Sequence, residues 1–164
     1  MGEALLTKDA VFEKLAQNVA IQALRAAHPE SITNAKFDRN ELTLVIAADR
    51  IRQVCRTLQQ AGYNFFEDIT CVDWTPSEPR FQVTYHILSH KLKERVRLHV
   101  MVDSMDPSVD SITSVWPAAN FYEREVWDLF GVRFNGHPGL RRIMMPEEWE
   151  GHPLRKDYPV EGYR

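Results

Sequence analysis

The sequence predicts an α+β fold: a single compact domain over residues 1–131, with a mostly antiparallel sheet and about three helices, followed by an extended irregular C-terminal segment over residues 132–164. Three observations carry this. Phe81, Val83, Tyr85 and Ile87 alternate strictly, as do Val96, Leu98, Val100 and Val102, the period of strands with one buried face. Ile51, Val54, Cys55 and Leu58 recur at helical spacing, i, i+3, i+4, i+7. Residues 131–164 hold five of the seven glycines and four of the nine prolines, which forbids a long regular element there.

The elements follow in order. Thr7 to Ala27 favours one helix, with Thr7 as its cap, Phe12, Leu15 and Val19 on one face, and His28-Pro29 as its end. Ser31–Phe37 and Leu42–Ala47 are extended, and Asp38-Arg39-Asn40-Glu41 joins them as a hairpin turn. Asp49 is placed to cap the helix that contains Ile51, and Gly62 to stop it. Phe65–Trp74 is extended, Thr75–Pro79 is a loop, and Lys91–Glu94 turns between the two alternating strands. A last helix runs from Pro117 to Phe130 and stops at Gly131. Tyr122, Val126, Leu129 and Phe130 form its expected buried stripe, with Glu123, Arg124 and Asp128 facing away.

Composition excludes several functions. The 164 residues suffice for one core, and no run reaches the roughly 18 apolar residues of a membrane-spanning helix. The start, Met1-Gly2-Glu3-Ala4, lacks the basic charge and apolar stretch of a signal peptide, so a cytoplasmic location is expected. Net charge is −3 with no basic stripe, which argues against nucleic acid. Cys55 and Cys71 stand alone, short of the four thiolates that usually hold an iron–sulfur cluster.

Three constellations are candidates for chemistry. Glu125 and Asp128, three apart on a helix, share a face as an acid/base or metal-binding pair would, the bland alternative being a solvated face with Arg124 paired to Asp128. Gly136-His137-Pro138 and Gly151-His152-Pro153 repeat a His that could join those carboxylates on a metal, although the fifteen-residue spacing in an irregular segment favours structural turns. Arg141-Arg142 and Arg155-Lys156 suit bidentate contacts to carboxylates or carbonyls across an interface. Phosphate, nucleotide, serine-hydrolase and zincin motifs are absent. The segment beyond Gly131 also carries Phe134, Leu140, Ile143, Met144, Met145, Trp149 and Leu154. It is too apolar for a disordered tail and must pack on its own domain or on another chain.

The run Glu123-Arg124-Glu125-Val126-Trp127-Asp128-Leu129-Phe130-Gly131, continuing through His137-Pro138-Gly139-Leu140-Arg141-Arg142-Ile143, closes with Gly151-His152-Pro153-Leu154-Arg155-Lys156-Asp157-Tyr158-Pro159. It resembles the signature of the complex I 30 kDa subunit family, ERExxDxFGxxFxxHPxLRRI followed by GxPLRKDYP. Trp127 stands where a smaller aromatic is commoner. The stretch Asp68–Asp73 and the alternating strands are also similar to the family.

The resemblance implies a subunit without catalytic, metal or cofactor residues of its own. FMN, iron–sulfur clusters and quinone would belong to partner subunits. It implies packing against the hydrogenase-like quinone-site subunit and neighbouring iron–sulfur subunits, on the cytoplasmic side of the membrane and attached only through partners. The residues it marks for partner binding are Glu123, Arg124, Glu125, Asp128, Phe130, Gly131, His137, Pro138, Leu140, Arg141 and Arg142, then His152, Pro153, Leu154, Arg155, Lys156, Asp157, Tyr158 and Pro159. An equivalent subunit of a membrane-bound hydrogenase or ferredoxin:quinone oxidoreductase, or a metal enzyme using Glu125, Asp128, His137 and His152, are the alternatives.

Overall fold

Two helices, not one, lead the chain in the computed structural model, which describes residues 7–162. Thr7 caps α1 (Lys8–Lys14), its hydroxyl accepting from the Ala10 N–H at 3.4 Å. The helix then breaks, and Asn18 caps α2 (Val19–Ala27) by accepting from the Ile21 N–H at 3.2 Å. A mid-helix Asn offers the backbone an alternative partner, and here its amide also donates to Glu94 at 3.1 Å. The break changes which face is buried. Val11, Ala20, Ile21 and Leu24 enter the core, while Phe12, Leu15 and Val19 pack at its margin.

β1 (Ile32–Asp38) and β2 (Glu41–Ile46) form the expected hairpin. Arg39 and Asn40, at φ 49° and 65°, make its two-residue turn. A 3-10 turn (Ala48–Arg50) leads into α3 (Ile51–Gln60), whose four periodic apolar residues are all fully buried. Asp49 does not cap this helix. It lies inside the 3-10 turn and pairs with Arg50 at the surface.

β3 (Phe65–Asp73), β4 (Phe81–Ser89) and β5 (Glu94–Val102) complete a sheet in the order β1-β2-β5-β4-β3. Neighbours are antiparallel except β2 and β5, which run parallel with Leu44 opposite Leu98. One face, with Leu44, Leu98, Val83, Tyr85 and Ile69, packs on Val54 and Leu58 of α3 and on the last helix. The other face is polar. There His86 donates to Asp68 at 2.6 Å and accepts from Arg97 at 3.0 Å. No described helix is long and apolar enough to cross a membrane.

Pro117 precedes α4 (Ala119–Phe130), and Gly131 ends it at φ 75°, a left-handed conformation that suits glycine. A small parallel pair not foreseen from sequence, β6 (Ser108–Asp110) and β7 (Arg133–Asn135), lies after the main sheet in the chain. Through β7, Val132 and Phe134 are buried in the domain core. Residues 136–162 contain no helix or strand.

Candidate functional site: the joint between α4 and the C-terminal segment

The charged residues of α4 are not turned toward solvent. Glu123 and Asp128 are fully buried beside Ala119 and Val126, whereas Tyr122, Leu129 and Phe130 are only half-buried. A helical charge defaults to the surface unless it has a partner to meet inside, and both partners lie far along the chain. Glu123 Oε1 accepts the N–H of Ile112 at 2.7 Å. Asp128 meets the C-terminal segment. Glu125 is exposed, so it forms no pair with Asp128, and Arg124 is not bonded to Asp128 either.

Asp128 is the centre of the joint. Its Oδ2 accepts three successive backbone N–H groups, from Ile143, Met144 and Met145, at 2.9, 2.8 and 2.9 Å. Its Oδ1 accepts from the Arg142 guanidinium at 2.5 Å. Burial alone would push this carboxyl up. The Met145, Ile143 and Met144 amides and Arg142 outweigh it and hold Asp128 below the usual carboxylate range. Arg142 also donates to the carbonyls of Trp149 at 2.6 Å and Gly151 at 3.1 Å, closing a loop over residues 142–151. Arg124 donates to the carbonyls of Arg141 at 3.1 Å and Arg142 at 2.8 Å.

The C-terminal end of α4 is satisfied by the same segment. Its terminal carbonyls lack partners within the helix. His152 Nδ1 donates to the Asp128 carbonyl at 2.9 Å, Leu154 N–H to that of Leu129 at 3.0 Å, and Arg155 Nε to that of Phe130 at 2.5 Å. Burial lowers the His152 pKa, which favours the neutral ring carrying its proton on Nδ1. The Arg155 guanidinium lies 5.2 Å from the centre of the Phe81 ring. Gly131 sits beneath these groups. A Cβ there would come within 2.5 Å of both His152 Cδ2 and Arg155 Nη2.

A second fastening lies at the end of β3. Asp73, 3% exposed, accepts from Arg80 at 2.7 and 3.0 Å, from Thr75, and from the backbone N–H of Lys156 at 2.9 Å. Arg80 reaches on to Asp157 with two bonds of 2.9 and 2.7 Å. The Arg80 hydrogen bonds hold the Asp73 carboxyl far below its ordinary range. Sequence reasoning does not single out Asp73 or Arg80. The Asp73-Trp74-Thr75-Pro76 turn is the available signal, since Asp bonds readily to the N–H two residues on, as it does to Thr75 at 2.9 Å.

The candidate metal set is not gathered. The Asp128 carboxylate is taken up by N–H donors, and His152 is turned to a carbonyl. His137 bonds the Asn120 carbonyl at 3.2 Å and accepts from the Gly139 N–H at 3.0 Å. Among the described residues no three His, Cys, Asp or Glu side chains converge as metal ligands would.

Leu140 packs at the edge of the core, and Tyr158 is half-buried with its hydroxyl 3.4 Å from the Glu150 carbonyl. Arg141, Pro138, Pro159 and the Lys156 side chain are exposed. Five large apolar side chains of the segment face outward: Ile143, Met144, Trp149, Leu154 and Val160 are all exposed, Met144 at 61% and Leu154 at 52%.

Comparison with known proteins gives a consistent result. A family described as "Respiratory-chain NADH dehydrogenase, 30 Kd subunit" matches residues 44–164. The chain is 46% identical over 143 residues to the NADH-quinone oxidoreductase C subunit of Roseiflexus sp. (strain RS-1), covering 85% of this chain and 82% of that protein. It is 44% identical over 147 residues to the protein of the same name from Geobacter sulfurreducens, covering 88% and 91%. Among solved structures it is similar to a trypsin-resistant fragment, residues 1–134, of Nqo5, with TM-score 0.66 and 30% identity over 74% of this chain and 99% of the fragment. It is also similar to a chain of the membrane-bound sulfane sulfur reductase, an archaeal respiratory membrane complex, with TM-score 0.74 and 27% identity over 90% and 85%.

Proposed function

Because this chain belongs to the 30 kDa subunit family of the respiratory-chain NADH dehydrogenase, we propose that it is a structural and assembly subunit of the peripheral arm of a proton-translocating NADH:quinone oxidoreductase. In this reading it binds no cofactor. It sits on the cytoplasmic side of the membrane through its partners and packs against the hydrogenase-like subunit that forms the quinone site.

The observation that carries the reading is the inverted packing of residues 136–162. Polar groups point inward to Asp128 and Asp73, and Ile143, Met144, Trp149 and Leu154 point outward. An exposed apolar surface on a polar-pinned segment marks a contact with another chain. Residues 132–164 thus serve as the partner-binding segment, of which Val132 and Phe134 also belong to the core. The likeness to a fragment of Nqo5 described as trypsin-resistant, over 74% of this chain, fits a core that can stand without the whole chain. The likeness to a chain of the sulfane sulfur reductase fits a scaffold role that leaves the electron donor to other subunits.

The test is the double substitution Met144→Glu and Leu154→Glu. Both side chains are exposed, so the isolated protein should change stability by no more than about 1 kcal/mol. Incorporation into the complex, read by native electrophoresis of membranes, should fall at least tenfold. Unimpaired assembly would remove the segment from the interface.

A further inference from the structure

Glu123 occupies a position that the docked segment does not explain. It is wholly buried, and its Oε1 holds the N–H of Ile112, which belongs to the loop between β6 and α4. That loop adjoins the root of the C-terminal segment. Ser111 N–H donates to the Asn135 carbonyl at 2.9 Å, and Arg52 of α3 donates to the carbonyls of both Ser111 and Asn135 at 2.9 Å. One carboxyl therefore ties α4 to the place where β7 ends and the segment begins.

The other oxygen, Oε2, is buried and has no hydrogen-bond partner among the described residues, and the same holds for the buried hydroxyl of Tyr85. An ionised carboxylate with one oxygen unmatched in an apolar interior is costly, whereas a protonated carboxyl is neutral.

We infer that Glu123 is a proton-operated fastening: neutral, it holds the β6–α4 loop and the root of the C-terminal segment to α4, and on ionisation it loosens them.

The surrounding groups agree. From α3, Cys55 offers a buried thiol and Arg52 a guanidinium; from β4 comes Tyr85; from the loop come Ser111 and the Ile112 N–H. Asp110 of β6 pairs with Arg52 at 3.5 Å and draws its charge away. Burial raises the Glu123 pKa to about 7, against the opposing pull of Ser111, Ile112 and Arg52. For an acid with a raised folded-state pKa, the favourable contribution is complete below the unfolded value near 4.5 and is lost as pH rises through about 7.

The experiment uses the full chain. Amide exchange at Ile112 and Asn135, corrected for intrinsic rate, is followed from about pH 5.5 to about pH 8.5, together with 13C NMR of the glutamate carboxyls. Ile112 protection should fall roughly tenfold or more across that window, and one carboxyl resonance, absent in Glu123→Gln, should titrate near neutrality. Glu123→Gln should keep Ile112 protected at a level that does not change with pH. If Glu123→Gln does not fold, the wild-type titration decides alone. A Glu123 resonance that titrates in the ordinary carboxylate range, or Ile112 protection that is flat with pH in the wild type, overturns the inference. Neither readout depends on assembly into a complex.

Discussion

The domain core and the C-terminal segment are built on opposite principles. In the core, Leu44, Leu98, Val83, Ile87, Val54 and Leu58 are buried together, and the polar residues of the sheet look outward. In residues 136–162 Arg142, His152 and Arg155 turn inward to α4, while Ile143, Met144, Trp149 and Leu154 are exposed. Burial energy in the core is spread over dozens of side chains. In the segment the attachment rests on a small set of polar contacts, those of Asp128, of Asp73 and of the carbonyls that end α4. The contrast predicts a core that tolerates small changes and a segment that single substitutions can release.

The largest effect should follow Asp128→Ala. It leaves three backbone N–H groups and Arg142 without their acceptor, and removing one partner of a buried ion pair costs about 3–5 kcal/mol. The segment should undock, seen as new proteolytic cleavage after Arg142 and Arg155, while the core still unfolds cooperatively. Equal loss of core and segment together would show that they are one unit.

Gly131→Ala should come next. The added methyl meets the side chains of His152 and Arg155 at 2.5 Å and the residue keeps a positive φ, a combination that costs upwards of about 1 kcal/mol. The added cleavage at Arg155 should be weaker than in Asp128→Ala. A melting temperature and a cleavage pattern equal to wild type would contradict the packing described.

The smallest effect on the segment is at the second fastening, where Asp73 holds one segment N–H and Arg80 keeps Asp157 as a partner, and it carries a sign in pH. The Asp73 pKa is depressed by Arg80, so its contribution is full above the unfolded value near 3.8 and is lost as pH falls further. Segment protection should therefore hold at neutral pH and decline in acid. In Asp73→Asn it should already be reduced at neutral pH, with a shallower acid decline. An unchanged acid profile would assign the decline to other groups.

The two regions also differ in how far they can be read from sequence. The alternation of β4 and β5, the periodicity of α3 and the glycine stop of α4 are local patterns, and each element lies where its pattern puts it. The break at Asn18 escapes a sequence reading because Ala16 and Gln17 favour helix, and a lone Asn is a weak stop until Glu94 meets it. The burial of Glu123 and Asp128 escapes it because their partners lie eleven and at least fourteen residues away in irregular chain. The family signature marks Asp128 and Arg142 without saying what they touch, and what they touch is one another.

In the isolated chain Asp128 should fasten the segment to its own domain. Amide hydrogen exchange of the isolated full chain tests this most directly, at Ile143, Met144 and Met145, whose N–H groups converge on one carboxylate oxygen. These three amides should exchange at least about a hundredfold more slowly than in an unfolded chain, and together revert to unfolded rates in Asp128→Ala. Unfolded rates at all three in the wild-type protein would contradict the account.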